Sequence, residues 1–407
     1  MIILADCNNF FVSCEKVFNP SLEGIPVIVL SSNDGCVVSR SNEAKKIGIK
    51  MGEPYFQIRE FCVRHKVAVF SSNFQLYKDL SRRVMSVLSD GVAHIEIYSV
   101  DEAFIFSESK EIFSDCIDLR KKVKRWVGIP ISLGIAPTKT LAKVAGSMAK
   151  KSDLGVFDIT DPEIQKEVLR IYPIGDVWGI GSRLAQLLKT MGIRTALEFS
   201  EMDPPIVRKK MGVIGERMLW ELRGMSCNHL EDPKPKKSIT VSRSFGKVIS
   251  EEKELAEALA TFTSSACEKL RGQKSKTTGL SIFLGDGLEV YDEKEILESP
   301  TSDTSEIIAV AKMLLSRIFC QNKRYRKCGI VLFDLSSEDE VAADLFLQKE
   351  NPKKKVLMQT VDLLNGRFGK NRIFFGAMGV NPEWNSRSNE HSGHNTLDWN
   401  HLPVVKA

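Results

Sequence analysis

Residues 94–106 read HIEIYSVDEAFIF. Two short apolar runs enclose a polar centre, which predicts a strand, a reversal near Asp101, and a second strand. Neighbouring strand residues face opposite sides of a sheet. Asp101 and Glu102 therefore share a side only where the chain turns between them. Upstream, Leu76, Leu80, Val84 and Leu88 recur at helical spacing, predicting a helix over 74–88. Residues 2–5 (IILA) form a short apolar strand ending at Asp6, and 25–30 (IPVIVL) form another. Downstream, 119–127 read as helix, 129–136 (IPISLGIA) as strand and 138–150 as helix. This order is the split β-α-β arrangement of ferredoxin-like domains, with residues 11–72 inserted after the first strand.

In such a sheet the first and third strands are neighbours, so Asp6 meets Asp101 and Glu102. Three carboxylates on one spot repel unless cations neutralise them. Hard oxygen ligands suit Mg²⁺, and two such ions stabilise the attacking and leaving oxygens of a phosphoryl transfer. Singly, Asp6 also fits a strand-end cap and Asp101-Glu102 a solvated turn. A lone buried carboxylate in an apolar strand is costly, however, and weighs against the cap.

Lys139 and Lys143 stand four apart on one predicted helix, and Lys45 and Lys46 follow a potential cap at Ser41. Like charges at that spacing, or near a helix start, are mildly unfavourable. They suggest a bound anion, with a solvated lysine face as the plainer reading. Residues 177–181 (VWGIG) precede a helical stripe of Leu184, Leu187, Leu188 and Met191. Such a turn offers backbone N–H groups to a phosphodiester and resembles a helix-hairpin-helix, although an ordinary tight turn fits too.

Residues 166–230 read as wholly helical, 231–237 as a Pro/Lys linker, and 239–335 as a separate α+β domain. The region 233–276 carries ten Lys/Arg against five Asp/Glu, and 312–327 carries six Lys/Arg and no acid. That excess favours a polyanion contact, such as nucleic acid, over a plain solvated face. Beyond about residue 345 the chain turns polar, and 381–401 read as mobile or ordered by a partner.

The 407 residues carry 57 Lys/Arg and 52 Asp/Glu, with 43% apolar residues. This excludes a wholly disordered, collagen-like or membrane-embedded chain. Nine scattered cysteines without C-x-x-C spacing argue against a zinc knuckle or a disulfide framework and fit a reducing cytosol. The N-terminus reads as a buried strand rather than a signal peptide.

Several segments share their order with one known family: ILADCNNFFVSCE, PVIVLSSNDGCVVSRSNEAKKIGIKMG, FSSNFQLY, IEIYSVDEAF, GIAPTKTLAK, DVWGIGSRL and SRSFG. On them, residues 1 to about 380 resemble the Y-family DNA polymerases, most closely the UmuC-like branch. The resemblance implies an α+β right-hand polymerase with a ferredoxin-like palm (1–10 and 73–165) and small fingers (11–72). A helix-hairpin-helix thumb (166–232), an α+β little finger (238–345) and a C-terminal partner-binding region (346–407) follow. It implies an error-prone translesion DNA polymerase of the SOS response, using two Mg²⁺ ions.

The resemblance assigns the metals to Asp6, the Cys7 backbone carbonyl, Asp101 and Glu102. It assigns dNTP contacts to Phe10, Phe11 (the steric gate), Ser39, Asn42, Lys45 and Lys139. Many family members carry Tyr and Arg where Asn42 and Lys45 stand. DNA-backbone contacts fall to Gly179, Gly181, Arg243 and Ser244. Leu345 and Phe346 end a sliding-clamp motif that lacks the family's leading Gln. Implied partners are primer-template DNA, dNTPs, a UmuD′-like dimer, a RecA filament and the β sliding clamp. The implied location is the cytoplasm, with no membrane contact. Two other readings are a palm-domain nucleotidyl cyclase, which has no use for the thumb-like hairpin, and a catalytically silent DNA- or clamp-binding regulator.

Overall fold

The computed structural model describes residues 1–92, 94–228, 235–338, 352–380, 384–385 and 387–393. The chain forms two compact units. One comprises Met1–Ser31, Gly35–Asp232 and Glu390–Ala407; the other comprises Ser32–Asp34 and Pro233–Asn389.

The first unit opens with β1 (Ile2–Cys7), α1 (Phe10–Phe18), β2 (Val27–Leu30), β3 (Val37–Arg40), α2 (Asn42–Lys46), α3 (Tyr55–Arg64) and β4 (Ala68–Ser71). There follow α4 (Phe74–Ser89), β5 (His94–Ile97), β6 (Glu102–Phe106), α5 (Ile112–Val127), β7 (Ile131–Ala136), α6 (Lys139–Ala149) and β8 (Val156–Asp158). Four helices complete it: α7 (Pro162–Ile171), α8 (Ser182–Thr190), α9 (Ala196–Ser200) and α10 (Pro204–Leu222).

The main sheet has the order β5-β6-β1-β7-β8, and β1 runs antiparallel to both its neighbours. Its first four strands have the expected ferredoxin-like order. The fifth, β8, was not anticipated: three residues are too short to show an alternation. It pairs parallel to β7. Helix α5 also starts earlier than the predicted 119, because of its first seven residues only Cys116 is buried.

Helices cover both faces of the sheet, which explains why β1 is apolar on both sides. Ile3, Ala5 and Cys7 pack with Leu76, Leu80, Val84 and Leu88 of α4. Ile2 and Leu4 pack with Leu141, Val144 and Ala145 of α6. At Gly134 a Cβ would fall on the backbone of Ala142 and Gly146, so glycine is what lets α6 lie directly on β7. Phe10, Val12 and Cys14 of α1 belong to the α4-side core. The start of the predicted insertion thus packs with the main sheet. The rest of it builds a separate sheet, β3-β2-β4, over a small core of Ile28, Leu30, Val37, Ile49 and Ile58. Helices α7 to α10 close the α6-side core through Leu169, Leu188, Phe199, Met218 and Leu219.

The second unit contains β9 (Ile239–Ile249), α11 (Glu252–Gly272), β10 (Ser275–Gly285), β11 (Val290–Thr301), α12 (Thr304–Ile318), β12 (Tyr325–Ser337) and α13 (Pro352–Phe368). Its antiparallel sheet has the order β11-β10-β12-β9. Helices α11 and α12 cover it around Leu259, Phe262, Ile282, Leu314, Tyr325 and Ile330. Helix α13 lies in the stretch read as polar and was not foreseen, since only Met358 of it is buried. It is held by Arg271, whose guanidinium donates to both carboxylate oxygens of Asp362 at 2.6 and 2.8 Å. Trp384 packs edge-on to Phe262 in the same core.

No helix among the described residues is long and apolar enough to cross a membrane. All nine cysteines are free.

Candidate active site

The reversal between β5 and β6 is built around Ser99. Its hydroxyl accepts from the backbone N–H of Asp101 (3.2 Å) and of Glu102 (3.1 Å), and donates to the Asp101 carboxylate at 2.6 Å. A serine side chain that replaces backbone partners in this way closes a tight turn. Glu102 then opens β6 directly opposite Asp6 of β1. The Cys7 N–H donates to the Asp101 carbonyl at 2.8 Å, extending the ladder to the turn.

Asp6 and Glu102 therefore stand side by side. Asp6 is only 8% exposed. Burial lifts its pKa to about 6, and the neighbouring Glu102 charge adds to the rise while Lys150 opposes it. The Lys150 ammonium donates to Asp6 at 2.6 Å and that of Lys143 to Glu102 at 2.9 Å. The Asp101 carboxylate is turned toward Ser99. Among the described residues no three acid, His or Cys side chains are gathered closely enough to hold one metal ion. The donor set still fits a hard divalent cation: the oxygens are carboxylate, and an ammonium only partly relieves the Asp6 charge.

The expected anion site at Lys139 and Lys143 takes another form. Lys139 is buried and pairs with Glu96 of β5 at 2.6 Å. Each lysine thus has a carboxylate from an adjacent strand, and the repulsion along α6 needs no anion to relieve it. Ser39 is likewise buried, its hydroxyl accepting the Val12 N–H at 3.3 Å. Asn42 and Lys45 do come together. Asn9, in the left-handed region at φ 48°, accepts from the Lys45 ammonium at 2.6 Å and donates to Asn42 at 3.1 Å. Ser41 caps α2 as expected, accepting from the Ala44 N–H. Burial pushes the Lys45 pKa down, as do the nearby Arg40 and Lys150 charges. Cations thus converge on the flank of the carboxylate pair.

Phe10 is buried in the core, whereas Phe11 is half-buried and stacks on Tyr77 with ring centroids 4.5 Å apart. The Tyr77 hydroxyl donates to buried Glu15 at 2.7 Å, which fixes the ring behind Phe11.

The VWGIG turn runs into α8, with Gly181 at its N-cap and no side-chain cap. Gly179 has φ +90°, and a Cβ there would meet the Met218 sulfur at 2.6 Å. The turn is seated on α10; its conformation favours glycine, and a Cβ there would have to displace the Met218 side chain.

Within the second unit, Arg243 and Ser244 are exposed on the edge strand β9. Burial and the charges of Arg243, Lys236 and Lys370 lower the Lys269 pKa, so these four cations share one patch. Lys247 and Arg271 of the same basic stretch are instead paired with Glu254 and Asp362. Leu345 and Phe346 lie outside the described residues.

Sequence reading missed Lys150, Asn9, Tyr77, Glu96 and Lys370. Only Lys150 had a signal, standing seven residues after Lys143 on one helical face. It also missed Glu221, which is fully buried. Its carboxylate accepts from the backbone N–H of Thr140 (3.0 Å), Cys227 (2.7 Å) and Asn228 (3.0 Å), tying α10 to the start of α6.

The chain matches the impB/mucB/samB family over residues 5–147, that family's C-terminal domain over 236–345, and a domain of unknown function (DUF4113) over 355–405. Protein ImpB of Salmonella typhimurium is 39% identical, with all of both chains covered. Protein UmuC of Salmonella typhimurium strain LT2 is 38% identical, again with all of both chains covered. A solved Y-family DNA polymerase chimera superposes with a TM-score of 0.67 at 22% identity, covering 83% of this chain and 99% of its own. The chain belongs to the impB/mucB/samB family and is a UmuC-like Y-family DNA polymerase, an error-prone translesion enzyme of the DNA-damage response.

Proposed function

We propose that Asp6 and Glu102, with Asp101 and the Cys7 carbonyl, hold two divalent cations, Mg²⁺ in the cell, for dNTP addition to a primer 3′-OH. The observation that carries this is the pairing of Asp6 with Glu102 across β1 and β6, with the Asp6 charge under-compensated. When bound, the cations stabilise charge on the attacking and leaving oxygens of the in-line displacement.

The chain's own residues do the rest. Lys150 and Lys143 offset the two acids in the metal-free protein. The Asn9–Asn42–Lys45 group receives the triphosphate, with Lys45 as a point charge rather than an arginine fork. The backbone N–H groups of the turn at Gly179 and Gly181 receive a DNA phosphate. The patch of Lys236, Arg243, Lys269 and Lys370 tracks the DNA backbone. Leu345 and Phe346 serve the β sliding clamp, and the C-terminal region serves a UmuD′-like dimer and a RecA filament, in the cytoplasm.

The ring of Phe11, backed by Tyr77, closes the space a ribose 2′-OH would need. Phe11→Ala is expected to admit ribonucleotides at least tenfold more readily, scored by single-nucleotide insertion. Unchanged sugar discrimination would remove Phe11 as the gate.

Primer-template affinity is expected to fall linearly on a log–log plot against salt. Arg243→Ala or Lys370→Ala is expected to reduce that slope by about one each. A slope untouched by both would place the DNA contact elsewhere.

A further inference from the structure

Lys143 sits in a box of aromatic rings. Its ammonium lies 4.6 Å from the Tyr98 ring centroid, 5.3 Å from Trp178 and 5.8 Å from Phe104. The rings also pack on one another, Tyr98 and Trp178 meeting edge to face at 5.6 Å. Phe104 is fully buried and Trp178 half-buried. The same ammonium donates to Glu102 at 2.9 Å. The box differs from the setting of Lys150, whose side chain is 46% exposed where that of Lys143 is 16% exposed.

Ring faces attract an ammonium, the more so where water is excluded. Three walls therefore hold Lys143 against Glu102, while Lys150, bonded to Asp6, has about half its side chain in water. The fourth side of the box is the carboxylate. An ammonium fixed there competes with any other cation for the same oxygens. Phe104 comes from β6 and the partly exposed Tyr98 from the turn before it, but Trp178 comes from the glycine turn that precedes α8 and is seated on α10. The strength of the competitor is therefore set in part by a residue from outside the sheet that carries both acids.

We propose that Trp178 is a positioning residue for Glu102: acting through Lys143, it sets the affinity of the carboxylate pair for divalent cations. The inference rests on the reading of Asp6 and Glu102 as cation ligands. With the Trp178 wall removed, Lys143 gains access to water and spends less time on Glu102, so a divalent cation meets a weaker competitor. A tryptophan that served only packing would loosen the site when removed and weaken cation binding. The sign of the change distinguishes the two roles.

The test is Mn²⁺ binding to the full chain at neutral pH, without DNA or nucleotide, followed by the electron paramagnetic resonance of free Mn²⁺. Lys143→Ala is expected to tighten binding by roughly tenfold and Trp178→Ala by roughly threefold. The double variant is expected to bind no tighter than Lys143→Ala alone, because the tryptophan acts through the lysine. Trp178→Phe restores one ring wall and is expected to return most of the way to wild type, which also controls for a folding defect in Trp178→Ala. Unchanged or weakened binding in Trp178→Ala, or a double variant in which the two effects add, overturns the inference. Asp6→Asn runs beside them. If it leaves Mn²⁺ binding intact, the cation-ligand reading itself fails. If it abolishes binding while Trp178 and Lys143 have no effect, only the present inference fails.

Discussion

Asp6→Asn is expected to stop primer extension and at the same time make the metal-free protein more stable. Burial holds the Asp6 carboxyl at about pKa 6 against an ordinary value of 3.8. The folded chain therefore binds this proton more tightly than the unfolded chain. Between those two values stability falls as pH rises, and above pH 6 the whole penalty stands. At neutral pH it is on the order of 3 kcal/mol. Asparagine keeps the shape and removes the charge, and Lys150, half in water, is left hydrated. Thermal unfolding in a chelating buffer at pH 7.5 should show the variant melting a few degrees above wild type. Near pH 4 the difference should vanish. Catalysis should move the other way, by about three orders of magnitude, because a ligand of the metals is lost. A variant less stable than wild type at pH 7.5 would mean that the Lys150 pair outweighs the burial cost.

Glu221→Ala is expected to cost on the order of 3 kcal/mol, because a carboxylate serving three backbone donors disappears from a closed site. The Thr140 N–H, in the first turn of α6, has no route to water. The partly buried N–H groups of Cys227 and Asn228 lose less. The carboxylate also faces the positive end of α6, and that interaction goes with it. Glu221→Gln should fall between the two, since its amide can accept at one end only and turns a donor toward a donor at the other. Urea unfolding of the full chain should show the order wild type, Gln, Ala in the midpoint of the first unit. A midpoint unmoved by Ala would mean that the N–H groups find other partners.

Much of the site was legible because its signals are local. Asp6 ends an apolar run, and Asp101 and Glu102 sit together at a reversal. The helix over 74–88 announces itself by Leu76, Leu80, Val84 and Leu88, all of which are buried. What escaped was long-range. Lys139 and Lys143 looked like neighbours repelling each other, but their carboxylate partners lie 43 and 41 residues away in sequence. Pairing across strands is invisible to spacing along a helix. Glu221 sits in a stretch read only as helical, and the packing of α10 on α6 buries it. Strand β8 is too short, and α13 too exposed, to show a period. Phe11 and Tyr77 lie 66 positions apart, so the wall behind the proposed gate appears only in three dimensions.

The central claim is that the acids of β1 and the β5–β6 turn carry template-directed nucleotide addition. Its most direct test is extension of a labelled primer on an undamaged template and on one with an abasic site, with dNTPs and Mg²⁺. The chain is run alone and with a UmuD′-like dimer and a RecA filament, and Asp101→Ala is run beside it. The expected result is templated addition on both substrates, abolished by chelation and by Asp101→Ala while DNA binding persists. No extension under any of these conditions with DNA binding intact, or extension that survives Asp101→Ala, would contradict it.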